Sequence, residues 1–169
     1  MTLYSIGWLR QPLLQGLATS ATAGAEGLVR STRSALIQFL STREPLHRQT
    51  VLIDILQDLS AVLAANLPDD RYAIPVIDLL AFLIDSFVVP SHGDSDHIFR
   101  KVFVLVQKAH FRSSNIQRLE SAIKAYAALS RLESLRNDIL KKMTGLLLHP
   151  FPRVCSALSR LHFSLNNSF

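Results

Sequence analysis

The sequence predicts an all-α protein, an α-solenoid of about eight helices in four antiparallel pairs, and three observations predict it. Apolar residues make up 49% of the chain, with 6 glycines, 7 prolines and few aromatics in 169 residues. Packed helices suit that composition better than a β-sandwich, which needs frequent tight turns. The apolar residues recur at three- and four-residue intervals in segment after segment, which places them on one face of successive helices. Arg30, Arg71, Arg112 and Arg153 are each 41 residues apart, near the start of the second helix of each pair. HEAT- and armadillo-type repeats have periods of about 40 to 47 residues. The apolar phase slips in the third pair, and a helix bundle stays open as the alternative.

Taken in order, Pro12 suits a first helical position, with Leu13, Leu14 and Leu17 behind it and a Gly/Ala/Thr-rich break at Thr19 to Gly24. Tyr4 and Trp8 precede that helix. The next runs from Glu26 to Leu40 with a buried stripe of Val29, Leu36, Phe39 and Leu40, and ends at Ser41 to Pro45. Leu46 to Asn66 forms a long amphipathic helix buried through Leu52, Ile55, Leu59, Val62 and Leu63, leaving Gln57 and Asp58 to solvent. Pro68 and Asp69 break it. Asp69 or Asp70 caps the following helix, whose Ile74, Ile77, Leu80, Ile84 and Phe87 make it nearly apolar all round and central. Val88 to Asp96 reads as a loop. Ile98, Val102, Leu105 and Ala109 mark the next helix, and the Ser113-Ser114-Asn115 cluster offers caps for one carrying Ile116, Leu119, Ile123 and Tyr126. Leu135, Ile139, Met143 and Leu146 mark a seventh. Pro152 opens an eighth with Val154, Leu158, Leu161 and Leu165.

Residues 1–169 read as one domain, because a chain of this length closes a single core. Cys155 has no second cysteine to pair with, which points to a reducing compartment. The start carries no export signal, and the most apolar stretch, Ala73 to Val89, holds Asp78 and Asp85, each costing about 2.5 to 3.5 kcal/mol at a bilayer centre. No membrane association is expected. The Asn166-Asn167-Ser168 sequon matters only on a secretory route. The net charge of +5 is divided unevenly: residues 1–99 carry 6 Lys/Arg against 10 Asp/Glu, and residues 100–169 carry 12 against 3. Such asymmetry makes a directional field that attracts an acidic partner, unless the basic residues are simply a solvated helix face.

Catalytic signatures are missing: there is no GxSxG elbow, no GxxxxGK[ST] loop and no HExxH pair. No cofactor is expected. His92, Asp94, Asp96 and His97 share one loop but lack the spacing of a tetrahedral metal site, so no metal is expected there. Cys155 and His162 lie two turns apart on one helical face with no orienting carboxylate. Arg30, Arg33, Arg71, Arg112 and Arg153 either line one edge of the solenoid, where guanidinium forks engage a partner's carboxylates, or pair within the fold. Asp69 and Asp70 with Arg71 are the clearest case for internal pairing. Asp78 and Asp85, seven residues apart on an apolar helix, have to face an edge or meet a cation.

Three stretches carry a resemblance. WLRQPLLQGLATSATAGAEGLVRSTRSALIQFL at residues 8–40, the segment 55–87 with DDRYAIPVIDLLAFLID, and residues 101–159 with KVFVLVQKAHFRSSNIQRLESAIKAY and LLLHPFPRVCSALS resemble, in order and spacing, the C-terminal region of the tubulin-specific chaperone D family, also called tubulin-folding cofactor D. Chains of that family are several times longer, so the resemblance implies a piece of a longer protein. Cys155 stands where the family commonly has a basic residue. The resemblance implies a non-enzymatic scaffold in post-chaperonin tubulin folding and heterodimer assembly, in the cytoplasm and at the microtubule cytoskeleton. Its implied partners are β-tubulin, tubulin-folding cofactors E and C, and an ADP-ribosylation-factor-like small GTPase. Tubulin is acidic, so Lys108, Arg112 and Arg118 of the basic half join the arginines above as expected partner-binding residues. A helical-repeat adaptor for another protein is the alternative. A nucleic-acid binder is a weaker one, since Phe99, Phe103, Phe111 and Tyr126 fall mostly on expected buried faces.

Overall fold

The computed structural model describes residues 7–87, 96–147 and 156. Among them are seven α-helices and no strand: α1 Gly7–Thr22, α2 Glu26–Ser41, α3 Pro45–Ala65, α4 Asp70–Phe87, α5 Asp96–His110, α6 Ile116–Leu129 and α7 Glu133–Leu147. The expected eighth helix, with Arg153, lies outside the described residues, as do Tyr4, His92, Asp94, Cys155 and His162.

Pro12 does not start α1 but is its sixth residue. A proline there removes one donor from the helical ladder, and burial compensates: Leu14 and Leu17 pack on the core, while Ala18 and Ala21 are fully buried. The small-residue run expected to break the helix therefore continues it to Thr22. The Thr19 and Thr22 hydroxyls donate back to the carbonyls of Gln15 and Ala18, and the chain turns only beyond them.

α2 has the expected bounds but a narrower buried stripe. Leu36 and Leu40 are buried, Val29 is half-buried, and Phe39 is exposed with the Arg43 guanidinium 4.3 Å from its ring centre. Pro45 opens α3 at the first helical position. Arg48, one turn in, donates from Nε to the Leu40 carbonyl (3.1 Å) and from its terminal nitrogen to those of Ser41 and Arg43, satisfying acceptors that the end of α2 leaves open. Leu52, Leu56, Leu59, Val62 and Leu63 make the buried face of α3, and Ile55 is only half-buried.

Asp69 caps α4: its carboxylate accepts from the Arg71 N–H at 3.0 Å and its carbonyl from that of Ala73. α4 is the central helix. It buries nine residues, Pro75 among them, and packs against α1, α3 and, most extensively, α6. Asn115 caps α6 through the N–H groups of Gln117 and Arg118. α5 lies on α3 and α6, and α7 closes the described part against α6. From α3 to α6 the sequential pairs α3–α4 and α5–α6 touch, and so do the next-but-one pairs α3–α5 and α4–α6. At the other end α1 packs on α4, and α2 is held chiefly by α1 and α3.

The 41-residue arginine register does not correspond to equivalent places. Arg30 is in the second turn of α2, Arg71 is the second residue of α4, and Arg112 stands in the turn before α6. Helix bounds and turn lengths differ from pair to pair, so equal sequence spacing puts these residues at different places in their elements.

Candidate functional site

The acidic and basic halves of the sequence meet along the α4–α6 contact. Asp70 pairs with Arg118 (2.5 Å), Asp78 with Lys124 (3.1 Å) and Asp85 with Arg131 (3.2 Å), three rungs in helix order. Arg131 also donates to the Asp85 carbonyl at 2.7 Å, and Asn115 donates its amide to Asp70 at 2.8 Å. The expectation that Asp78 and Asp85 meet cations is met. Rungs with one exposed partner contribute about 0.5 kcal/mol each, so their main effect is to fix how α6 sits on α4. On α5 and α7, Arg100 and Asp138 add a looser pair at 3.6 Å. The three rungs thus pair part of the basic half's excess with carboxylates of the acidic half.

The expected partner-binding residues divide accordingly. Arg118 is 7% exposed, and its guanidinium donates to the Ala109 carbonyl at 2.9 Å besides pairing with Asp70, so it joins α4, α5 and α6 from within. Arg71 points outward but grips the carboxylate of Asp69 with two donors, at 3.1 and 2.8 Å. That pairing holds the Asp69 carboxyl below its ordinary range. Arg33 donates to the Ala21 carbonyl at 2.8 Å and lies 4.9 Å over the Phe82 ring. It forms one wall of an open groove of about 360 Å³ with Phe82 and small alanines below and Asp78, Asp85 and Lys124 at its rim. Arg30, Lys108 and Arg112 are exposed; Arg153 is outside the described residues.

Lys108 and Arg112 belong to a larger feature. His97, Lys101, Val104 and Lys108 recur at four-, three- and four-residue steps, which places them on one face of α5, and all are exposed. Phe111, 70% exposed, and Arg112 continue the stripe beyond the helix end. The Arg112 guanidinium lies 5.2 Å from the centre of the Phe111 ring. Arg112 has φ of 58°, the left-handed conformation that usually takes glycine after a helix and costs another residue about 1 kcal/mol. Beneath this corner the packing is firm: Tyr126, fully buried, meets His110 in a 2.5 Å hydrogen bond and Phe103 edge-on at 5.8 Å. Burial pushes the Tyr126 phenol well above its ordinary value of 10.0. No acidic residue occurs between Asp96 and Glu120, so Lys101, Lys108 and Arg112 have no carboxylate beside them in this segment.

Sequence reasoning found Lys108 and Arg112 but missed Lys101, Val104 and Phe111 as their neighbours. The signal was present in the 97/101/104/108 spacing, the complement of the buried Ile98, Val102, Leu105 and Ala109. Of the aromatics near the basic helices, Phe99, Phe103 and Tyr126 are buried as expected, and Phe111 is not.

A family model described as tubulin folding cofactor D C terminal matches residues 1–118. The chain belongs to that family. The match spans α1 to α5 and reaches the start of α6, so it includes the whole α5 stripe and Arg118 and excludes Arg153. Comparison with curated proteins and with solved structures gave no match. Membership of the cofactor D C-terminal family ties the chain to chaperone-type work on tubulin. No described helix is long and apolar enough to cross a membrane, and the described residues contain no cluster of three or more His, Cys, Asp or Glu able to hold a metal.

Proposed function

We propose that this chain is a non-enzymatic scaffold of the tubulin-folding machinery that binds β-tubulin during assembly of the α/β heterodimer. The observation that carries the reading is the family match over residues 1–118. The fold is consistent with it: α3 stacks on α5 and α4 on α6, and stacked helices expose a long edge to a large folded partner. Arg30, Lys108 and Arg112 supply exposed cations toward an acidic partner, whereas Arg118 is used internally. Arg33 and Arg71 act chiefly within the fold. Tubulin-folding cofactors E and C and an ADP-ribosylation-factor-like GTPase complete the proposed partner set, in the cytoplasm and at the microtubule cytoskeleton.

The test is retention of purified dissociated β-tubulin, and separately of intact α/β-tubulin, on the immobilised full chain. Selective, saturable retention of β-tubulin is expected. If neither form is retained at physiological or low salt, the chain is no direct tubulin contact and the proposal fails.

A further inference from the structure

The exposed face of α5 has features that a solvated helix face does not require. Lys101 and Lys108 stand seven residues apart on one side of the helix, about 10 Å along its axis. Val104 lies between them, exposed, and Phe111 ends the row with most of its surface in solvent. Arg112, held in the left-handed conformation, keeps its guanidinium over the Phe111 ring. The dipole at the end of α5 favours a cation there, but it does not account for Phe111 left in solvent beneath the guanidinium, and glycine takes the conformation without strain. No carboxylate pairs with Lys101, Lys108 or Arg112 among the described residues, in contrast to Arg118, Lys124 and Arg131 one helix away.

We infer that this face is a docking site for an acidic segment of a protein partner, one that sets an apolar side chain on Val104 and Phe111 and its carboxylates against Lys101, Lys108 and Arg112. Charge complementarity selects the occupant, because every ionised group on the stripe is cationic. The aromatic with its guanidinium adds what charge alone lacks: a fixed apolar surface and a planar fork that receives a carboxylate bidentately. A single aromatic is too little for a nucleic-acid strand, which stacks successive bases on successive rings. The inference deepens the proposed β-tubulin binding and rests on it only for the identity of the partner; the chemistry of the segment stands on the face itself.

The experiment uses the full chain and three labelled twelve-residue peptides: an all-Glu peptide, a Glu peptide with one central Leu, and a Lys peptide with the same Leu. Fluorescence anisotropy is read at low and physiological salt. Preferential binding of the Glu/Leu peptide is expected, weakened about tenfold by Lys101→Glu with Lys108→Glu and by Phe111→Ala, and by much less with Lys141→Glu and Lys142→Glu on α7. Arg112→Gly keeps the helix end in its preferred backbone and is expected to weaken binding without loss of folding by circular dichroism. Equal binding of the two Glu peptides, insensitivity to the α5 changes, or displacement by single-stranded RNA at lower concentration than by peptide would each overturn the inference. Retention of β-tubulin undiminished by the α5 changes would overturn β-tubulin as the occupant of this face while leaving the proposed β-tubulin binding standing. Peptide binding without retention of β-tubulin would uphold the docking site and overturn the proposed β-tubulin binding.

Discussion

Arg118 shows how a residue selected for its charge serves the fold. Its side chain is buried where α4, α5 and α6 meet, bonded to the Ala109 carbonyl and paired with Asp70. Arg118→Met keeps the aliphatic reach but abandons both polar partners, and is expected to lower stability by about 2 kcal/mol in urea denaturation. Asp70 is partly exposed and can rehydrate, which limits the cost; a midpoint unchanged from the parent would contradict this role. Tyr126 makes a second prediction. Burial raises its folded-state pKa, so the neutral phenol stabilises the fold fully below pH 10 and that contribution is lost as pH rises further. Tyr126→Phe is expected to cost about 1 kcal/mol at neutral pH by removing the hydrogen bond between the Tyr126 hydroxyl and His110. It should also flatten the alkaline fall in thermal stability, and an equally steep fall in the variant would contradict the assignment. At this scale the sequence made caps and pairs legible where the partner is close: Asp69 with Arg71, and Asn115 at the start of α6. It also showed that Asp78 and Asp85 had to face an edge or meet a cation, because burial of an unpaired carboxylate on an apolar helix is too costly to stand. It could not distinguish Arg118 from Lys108, since both are basic residues near amphipathic helices and only the packing angle of α6 decides which is enclosed.

Among the elements, α2 is held by few buried residues. Its buried residues are Leu36 and Leu40, whereas Leu28, Ile37 and Phe39 are exposed. Arg33 ties it to α1 through the Ala21 carbonyl and to α4 through the Phe82 ring. Local opening is cheapest where few apolar contacts are lost, so amides of α2 are expected to exchange with deuterium well before those of α4 and α6. Arg33→Ala should accelerate exchange in α2 and leave α4 unchanged. Uniform protection across the three helices would show that α2 opens only with the whole domain. Periodicity made most helix bounds legible, because a face that packs on a core keeps its spacing through the whole element. Proline misled at α1, where the expected start became the sixth residue: the buried Ala18 and Ala21 faces outweigh one missing hydrogen bond. Phe39 misled in α2 because its spacing from Leu36 suits either a broad buried face or a narrow one, and α2 has the narrow kind.

For the molecule as a whole, the division of charge between the halves has two destinations. One part closes on itself as the α4–α6 ladder, where Asp70, Asp78 and Asp85 meet Arg118, Lys124 and Arg131. The remainder, on α5, faces outward beside Val104 and Phe111. The sequence revealed the excess but not this partition, which depends on residues 46 or 48 positions apart being brought together. The same separation explains why an even arginine spacing suggested a repeat edge that the turns do not preserve. We propose that this chain of the cofactor D C-terminal family binds β-tubulin directly through an electrostatically assisted surface. Titration of dissociated β-tubulin onto the full chain at low and physiological salt, with single-stranded RNA present, checks it. Saturable binding that weakens with salt and is indifferent to RNA is the expected result. No saturable binding at either salt concentration, or binding abolished by RNA, would contradict it.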